Sequence, residues 1–155
     1  MKAINIDGTI KTYNSIPKTW GNILGVQYLN DSSLEELGFY NVVKPTTKQS
    51  QKLGSIEWDA DNKVFTFPIQ NKTYSQSVAE LKTQKISNLK HNYGYELAKT
   101  DWIIIRDCEL GNTTNSSILS SRATLRNECA SKEAEINALS TKASIVDYQI
   151  SSLGV

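Results

Sequence analysis

Near the start of the chain apolar and polar residues alternate: Ile4 and Ile6 stand between polar neighbours, Asp7-Gly8 follows, then Ile10 and Tyr13. A type I′ turn needs positive φ at both central residues, and Asp-Gly between alternating segments supplies it. The pattern predicts a hairpin over residues 2–13, with Pro17 and Gly21 marking the loop beyond it. Ser32 to Leu37 reads as a short helix capped by Asp31 or Ser32, with Glu35 and Glu36 near its positive end and Gly38 to stop it. Phe39 to Val43 reads as a strand ended by Pro45, and 46–51 as a polar loop. Ser55 to Trp58 and Lys63 to Ile69 form a second predicted hairpin around Asp59-Ala60-Asp61-Asn62. Its β-favouring residues are Val64, Phe65 and Phe67, and Pro68 points to an edge position.

From Ser77 the spacing turns helical. Val78, Leu81, Leu89, Tyr93 and Leu97 recur near a helical period, and Ser77 with Glu80 has the form of a capping box. The β-branched run from Thr100 to Arg106 then predicts an extended break, with Trp102 buried at the junction of two helical segments. Gly111 to Asn115 predicts a turn.

The last segment, 117–153, has no proline or glycine, which predicts one long helix. Ile118, Leu125, Leu139, Val146 and Leu153 share one heptad position; Cys129, Ile136, Ala143 and Ile150 share the other. A repeat of 3.5 residues held over about five heptads is that of a left-handed coiled coil. Arg122 and Lys132 interrupt the seam. Two readings stand open: a coil between chains, or a hairpin folded back on the helix at 77–99. The fold class is therefore α+β, with a small β-rich head over 1–72 and a helical hairpin or coiled-coil region over 73–155.

Composition narrows the function. Hydrophobic residues make up 39% of the 155 and charged residues 21%, on the apolar-poor side for a globule, which suits a small head with an elongated tail. With 17 basic and 16 acidic residues the net charge is +1, and the densest basic stretch, Lys82 to Lys90, holds three lysines in nine residues. A nucleic-acid binder would want a basic stripe to release phosphate counterions, so none is expected as a partner. The longest apolar run, Trp102 to Ile105, is far short of a membrane span, and Met1 to Tyr13 lacks the apolar core of a signal peptide. The expectation is synthesis in a reducing cytoplasm, no membrane partner, and no meaning for the four sequons at Asn30, Asn71, Asn112 and Asn115.

Candidate chemistry is sparse. Asn5-Ile6-Asp7-Gly8-Thr9 has the outline of the D-x-D-G-T motif of haloacid-dehalogenase-like phosphatases, but Asn5 stands where that chemistry needs a nucleophilic aspartate, and a hairpin turn explains the rest. His91 is the only histidine, in a predicted helix between Lys90 and Asn92. Cys108 and Cys129 have no metal-ligand spacing and read as small hydrophobes. Asp59 and Asp61 read as turn residues, and Glu133 and Glu135 as a solvated helix flank. No catalytic set, metal site or cofactor is expected. Trp20, Trp58 and Trp102 read as core or interface anchors.

Two blocks carry a resemblance. The first is Ile16-Pro17-Lys18-Thr19-Trp20-Gly21-Asn22 with Leu34 to Pro45; the second is Leu97 to Trp102, then Arg106, Glu109, Gly111, Arg122 and Leu125-Arg126. Together they resemble small tail-associated proteins of tailed bacteriophages, including tail-fibre assembly, tail-assembly chaperone-like and baseplate-fibre adaptor families. Ser121 stands where those families carry an aromatic before the first arginine of the last motif. The resemblance implies a non-enzymatic virion component, made in the host cytoplasm and placed in the tail, or an assembly chaperone for a fibre. Its partners would be other tail or fibre proteins and copies of itself, a trimer first. From the residues alone, Arg106, Arg122 and Arg126 are expected to pair with Asp107 or Glu109, and Ile136, Leu139, Val146 and Ile150 to form the most continuous part of the seam.

Overall fold

The computed structural model describes residues 1–150. The chain is α+β and divides into two compact units, Met1–Lys72 and the residues from Thr73 onward.

The first unit is built on a five-stranded mixed sheet. Its strands are β1 (Lys2–Ile6), β2 (Thr9–Tyr13), β5 (Tyr40–Val43), β7 (Glu57–Asp59) and β8 (Val64–Thr66), in the order β2-β1-β5-β8-β7. β5 and β8 run parallel; the other pairs are antiparallel. Ile6 pairs with Thr9, so the first turn consists of Asp7 and Gly8, at φ 49° and 82°, the positive values a type I′ turn demands. Two small ribbons accompany the sheet: β3 (Thr19–Trp20) with β4 (Ile23–Leu24), and β6 (Gln51–Leu53) with β9 (Ile69–Asn71).

Helix α1 (Asp31–Glu36) is capped by Asn30, whose side chain accepts from the Ser33 amide at 2.9 Å; the cap read from sequence, Asp31 or Ser32, lies one or two positions later. Gly38, at φ 88°, closes it. Ile4, Val26, Leu34 and Phe39 form the core beside it, with Tyr13 and Trp20 against Phe39 edge-on at 5.6 and 4.8 Å. The second hairpin forms, but shorter than expected. Asp59 accepts from the amides of Asp61 and Asn62 and from the Asn62 side chain, which hold its carboxyl below the usual range and fix the turn. Ile69 leaves that hairpin to pair with Leu53, and Gln51 leaves the expected loop to begin β6. Pro68 lies in neither strand; its carbonyl accepts from Gly54 at 2.8 Å, joining the ribbon where the chain turns.

The second unit is helical: α2 (Val78–Ala98), α3 (Asp101–Glu109), α4 (Ser116–Ala138) and α5 (Lys142–Asp147). The Ser77–Glu80 capping box is present: the Glu80 amide donates to Ser77 Oγ and the Ser77 amide to Glu80 Oε2. Leu89 and Tyr93 of α2 bury against Ile136 of α4, with Ile86, Leu125, Cys129, Tyr148 and Ile150 around them. The heptad residues Leu125, Cys129, Ile136 and Ile150 thus face α2 of the same chain, the hairpin reading of the two. Leu139 and Val146 are half-buried, and Leu153 lies outside the described residues.

Two of the elements expected in this unit do not form. The long helix is broken: Leu139 is extended, and Thr141 starts α5 by accepting from the Ser144 amide in a second reciprocal cap. The helix ends here without proline or glycine: the cap at Thr141 starts a new one, which carries Ile145 inward to 1% exposure. The segment from Thr100 to Arg106 is not extended but forms most of α3. A β-branched run makes a strand only where another strand can take its amides and carbonyls. Every described element of this unit is a helix, so the run satisfies its backbone locally, helped by Asp101 in the first turn and Arg106 in the last.

Candidate interaction surface

Three long cationic side chains secure the helix ends of the second unit. Lys82 Nζ donates to the Asn137 carbonyl at 2.6 Å, at the end of α4, and Lys85 Nζ to the Val146 carbonyl at 3.2 Å, near the end of α5. Burial pushes the Lys85 ammonium down from its ordinary value while Asp147 draws it up. Arg122, interrupting the heptad seam of α4, is buried and reaches the end of α2. One guanidinium nitrogen donates to the Leu97 carbonyl and the Thr100 hydroxyl, the other to Asp101 Oδ1 at 2.6 Å. Cations at helix C-termini give a charged donor to the carbonyls of the last turn; the Leu97 carbonyl accepts from the Thr100 amide and hydroxyl as well. Arg122 therefore pairs with Asp101, not with Asp107 or Glu109, and it joins α4 to the α2–α3 corner. Beside it lies a groove of about 340 Å³ lined by Lys99, Thr100, Ile118, Arg122 and Leu125.

The corner presents α3 to solvent. Asp107 is its one buried residue; it accepts from Arg106 Nη2 at 2.8 Å and Nε at 3.2 Å. The hydrogen bond from Arg106, and a weaker one from Thr114, hold the Asp107 carboxyl below the ordinary range. At 3.6 residues per turn, Trp102, Ile105 and Glu109 stack on the opposite face, with Arg106 beside them. Trp102 is 58% exposed, and Ile105 and the capping Leu110 are exposed as well. Trp102 is thus not the buried anchor expected. Its ring carries the Arg106 guanidinium at 5.1 Å, a cation–π contact at the surface. Arg126 is exposed and makes no ion pair among the described residues.

A second exposed patch belongs to the first unit. Leu24 and Tyr28 are 82% and 86% exposed, and the Tyr28 ring lies against Gly25, so the two side chains flank one turn of backbone. Trp20 sits behind, in the Phe39 cluster. Trp58 packs on Tyr40 and Phe65 at 4.5 and 5.0 Å and leaves part of its ring in solvent.

In the sequence, Trp102, Arg106, Arg122, Leu125 and Arg126 fall within the second of the two blocks that carry the resemblance. The structure brings Arg122 to Asp101 and Arg106 to Trp102 and Asp107, and leaves Arg126 apart. The sequence reading missed Ile105, Leu110, Leu24 and Tyr28. Ile105 had a signal: it stands three residues after Trp102, which a helical reading of the run would have placed on one face. Tyr28 had none, because its exposure is set by the turn at Gly25. Among the described residues no group of three or more His, Cys, Asp or Glu is placed to hold a metal ion, and no helix is long and apolar enough to cross a membrane. Compared with models of protein families, with curated proteins and with solved structures, the chain matches none.

Proposed function

We propose that this chain is a non-catalytic component of a larger protein assembly, acting through protein–protein contacts. The observation that carries the reading is α3. Its inward face holds Asp107 between the half-buried Ile103 and Ile104, and its outward face shows a tryptophan and an isoleucine one turn apart, with Leu110 just beyond. Scattered exposed apolar residues are ordinary on any protein. Adjacent ones on a helix face are the usual material of a contact surface, and tryptophan and arginine are the residues most often found at its energetic centre.

The assembly we propose is a bacteriophage tail, with the protein in the baseplate, a fibre adaptor or the fibre itself. This setting rests on the two sequence blocks that resemble tail-associated proteins, one of which spans the α2–α3–α4 corner. Mass spectrometry of purified particles tests it: the protein should be present in a fixed ratio to the other tail proteins. Presence only in infected-cell extracts, bound to an unfinished fibre subunit, would instead make it an assembly chaperone. Absence from both would end the phage-tail proposal.

A further inference from the structure

We infer that α3 pairs with α3 of a second copy of the chain, antiparallel and about a two-fold axis, an inference that rests on reading its exposed face as a contact surface. Three observations lead there. The face is apolar at Trp102 and Ile105, with Leu110 beyond, and exposed at each. It carries two charges of opposite sign three residues apart, Arg106 and Glu109. These charges do not meet within the chain: Arg106 turns to Asp107 and the Trp102 ring, and Glu109 makes no ion pair among the described residues.

A surface with an apolar strip and one charge of each sign along a helix is complementary to itself when reversed. A two-fold interface needs that property, since each residue meets its counterpart's partner twice. An antiparallel pair centred between Asp107 and Cys108 sets Arg106 level with the partner's Glu109 on both sides of the axis. Arg106 has a guanidinium nitrogen, Nη1, outside its bonds to Asp107, to offer. The partner is thus identified by charge: an arbitrary apolar helix would leave Glu109 unanswered, and a second copy offers it the Nη1 of Arg106, twice about the axis. One nine-residue helix per copy is small beside the ~1,600 Å² of a standard interface, so the association should be concentration-dependent.

Sedimentation of the full chain from about 10 µM to about 1 mM tests this, in the range where so small a contact would be populated. Wild type should pass from monomer to dimer, with association weakening as salt rises. Glu109→Arg sets two arginines against each other on both sides of the axis and should weaken the dimer ~10-fold or more; Glu109→Gln should weaken it less. Both changes lie on an exposed side chain, so thermal unfolding should be unaltered. A direct reading comes from Cys108, which is exposed and sits next to the axis. With Cys129→Ala leaving a single thiol, a short bis-maleimide should link wild-type chains and lose that yield in Glu109→Arg. A wild type that stays monomeric, a trimer, or an association unmoved by Glu109→Arg would each overturn the pairing. Particle incorporation separates this from the broader reading: a monomer still found in particles removes the self-pairing alone. A dimer found neither in particles nor on a fibre subunit removes the tail assignment alone.

Discussion

The two units spend their apolar residues differently. The first concentrates aromatic rings: Tyr13, Trp20 and Phe39 meet edge-on at one site, and Tyr40, Trp58 and Phe65 pack together at another, over strands whose backbone bonds are made by neighbours. The second has a narrow core of Leu89, Tyr93 and Ile136, and relies on lysine and arginine side chains to hold helix ends. A sheet satisfies its polar backbone by pairing, so its side chains are free to pack. An α-helix of any length leaves four carbonyls open at its end, and here side chains from another helix bond some of them. The contrast shows in α3 as well: Ile103 and Ile104 are half-buried on either side of Asp107, Arg122 bonds Asp101 at its start, and Trp102 and Ile105 stay outside.

Ways to break this comparison run from the cores outward. Phe39→Ala should cost the first unit about 3–5 kcal/mol, and Ile136→Ala the second about 2–5 kcal/mol, since both are fully buried. Hydrogen exchange resolved by residue should show each loss confined to its own unit; one shared transition would deny that the units are energetically separate. Arg122→Met keeps the stem and removes three charge-assisted hydrogen bonds. It should destabilise the helical unit by about 1.5–3 kcal/mol, the worth of the charge-assisted bonds themselves, because the Leu97 carbonyl keeps its bonds from Thr100 and Asp101 is open to water. A change under about 0.5 kcal/mol would mean the corner is held by packing instead.

Alkaline pH sharpens the contrast further. Tyr148, held by burial and by its bond to Glu135, has its phenol pushed up to about 12 from an ordinary 10.0. Between those values the unfolded chain releases a proton that the folded chain keeps. Stability is therefore full below pH 10.0 and falls as pH rises towards 12. Tyr93 is raised in the same direction, by burial first and then by Glu128. Melting curves followed by helical circular dichroism should shift down over this range, and Tyr148→Phe should flatten the shift without abolishing it. An unchanged slope in that variant would put the alkaline loss elsewhere.

The smallest effect is expected where the sequence promised a large one. Trp102→Ala should change stability by less than about 1 kcal/mol, since the ring is mostly in solvent, while weakening any contact made through α3. A loss of several kcal/mol would put the ring back in a core and leave the outward face of α3 without its main residue.

Features readable from the sequence were those whose causes lie within four residues. Asp7-Gly8 made its turn, Ser77 and Glu80 their box, and Gly38 its helix stop, because backbone sterics and a side chain's reach to a nearby amide need no distant partner. The α+β class and the mostly β character of the head followed from such local signals taken in series. What only the tertiary structure decided was the fate of segments whose local signals were ambiguous. Thr100 to Arg106 became a helix for want of a strand to pair with. The seam from Ile118 onward broke at Leu139, and the helix begun at Thr141 carries Ile145 inward. Arg122, a flaw in a heptad on paper, became the clamp of the corner because the ends of α2 and α3 happen to lie within its reach. Burial depends on what another part of the chain brings alongside, and no window of neighbouring residues contains that information.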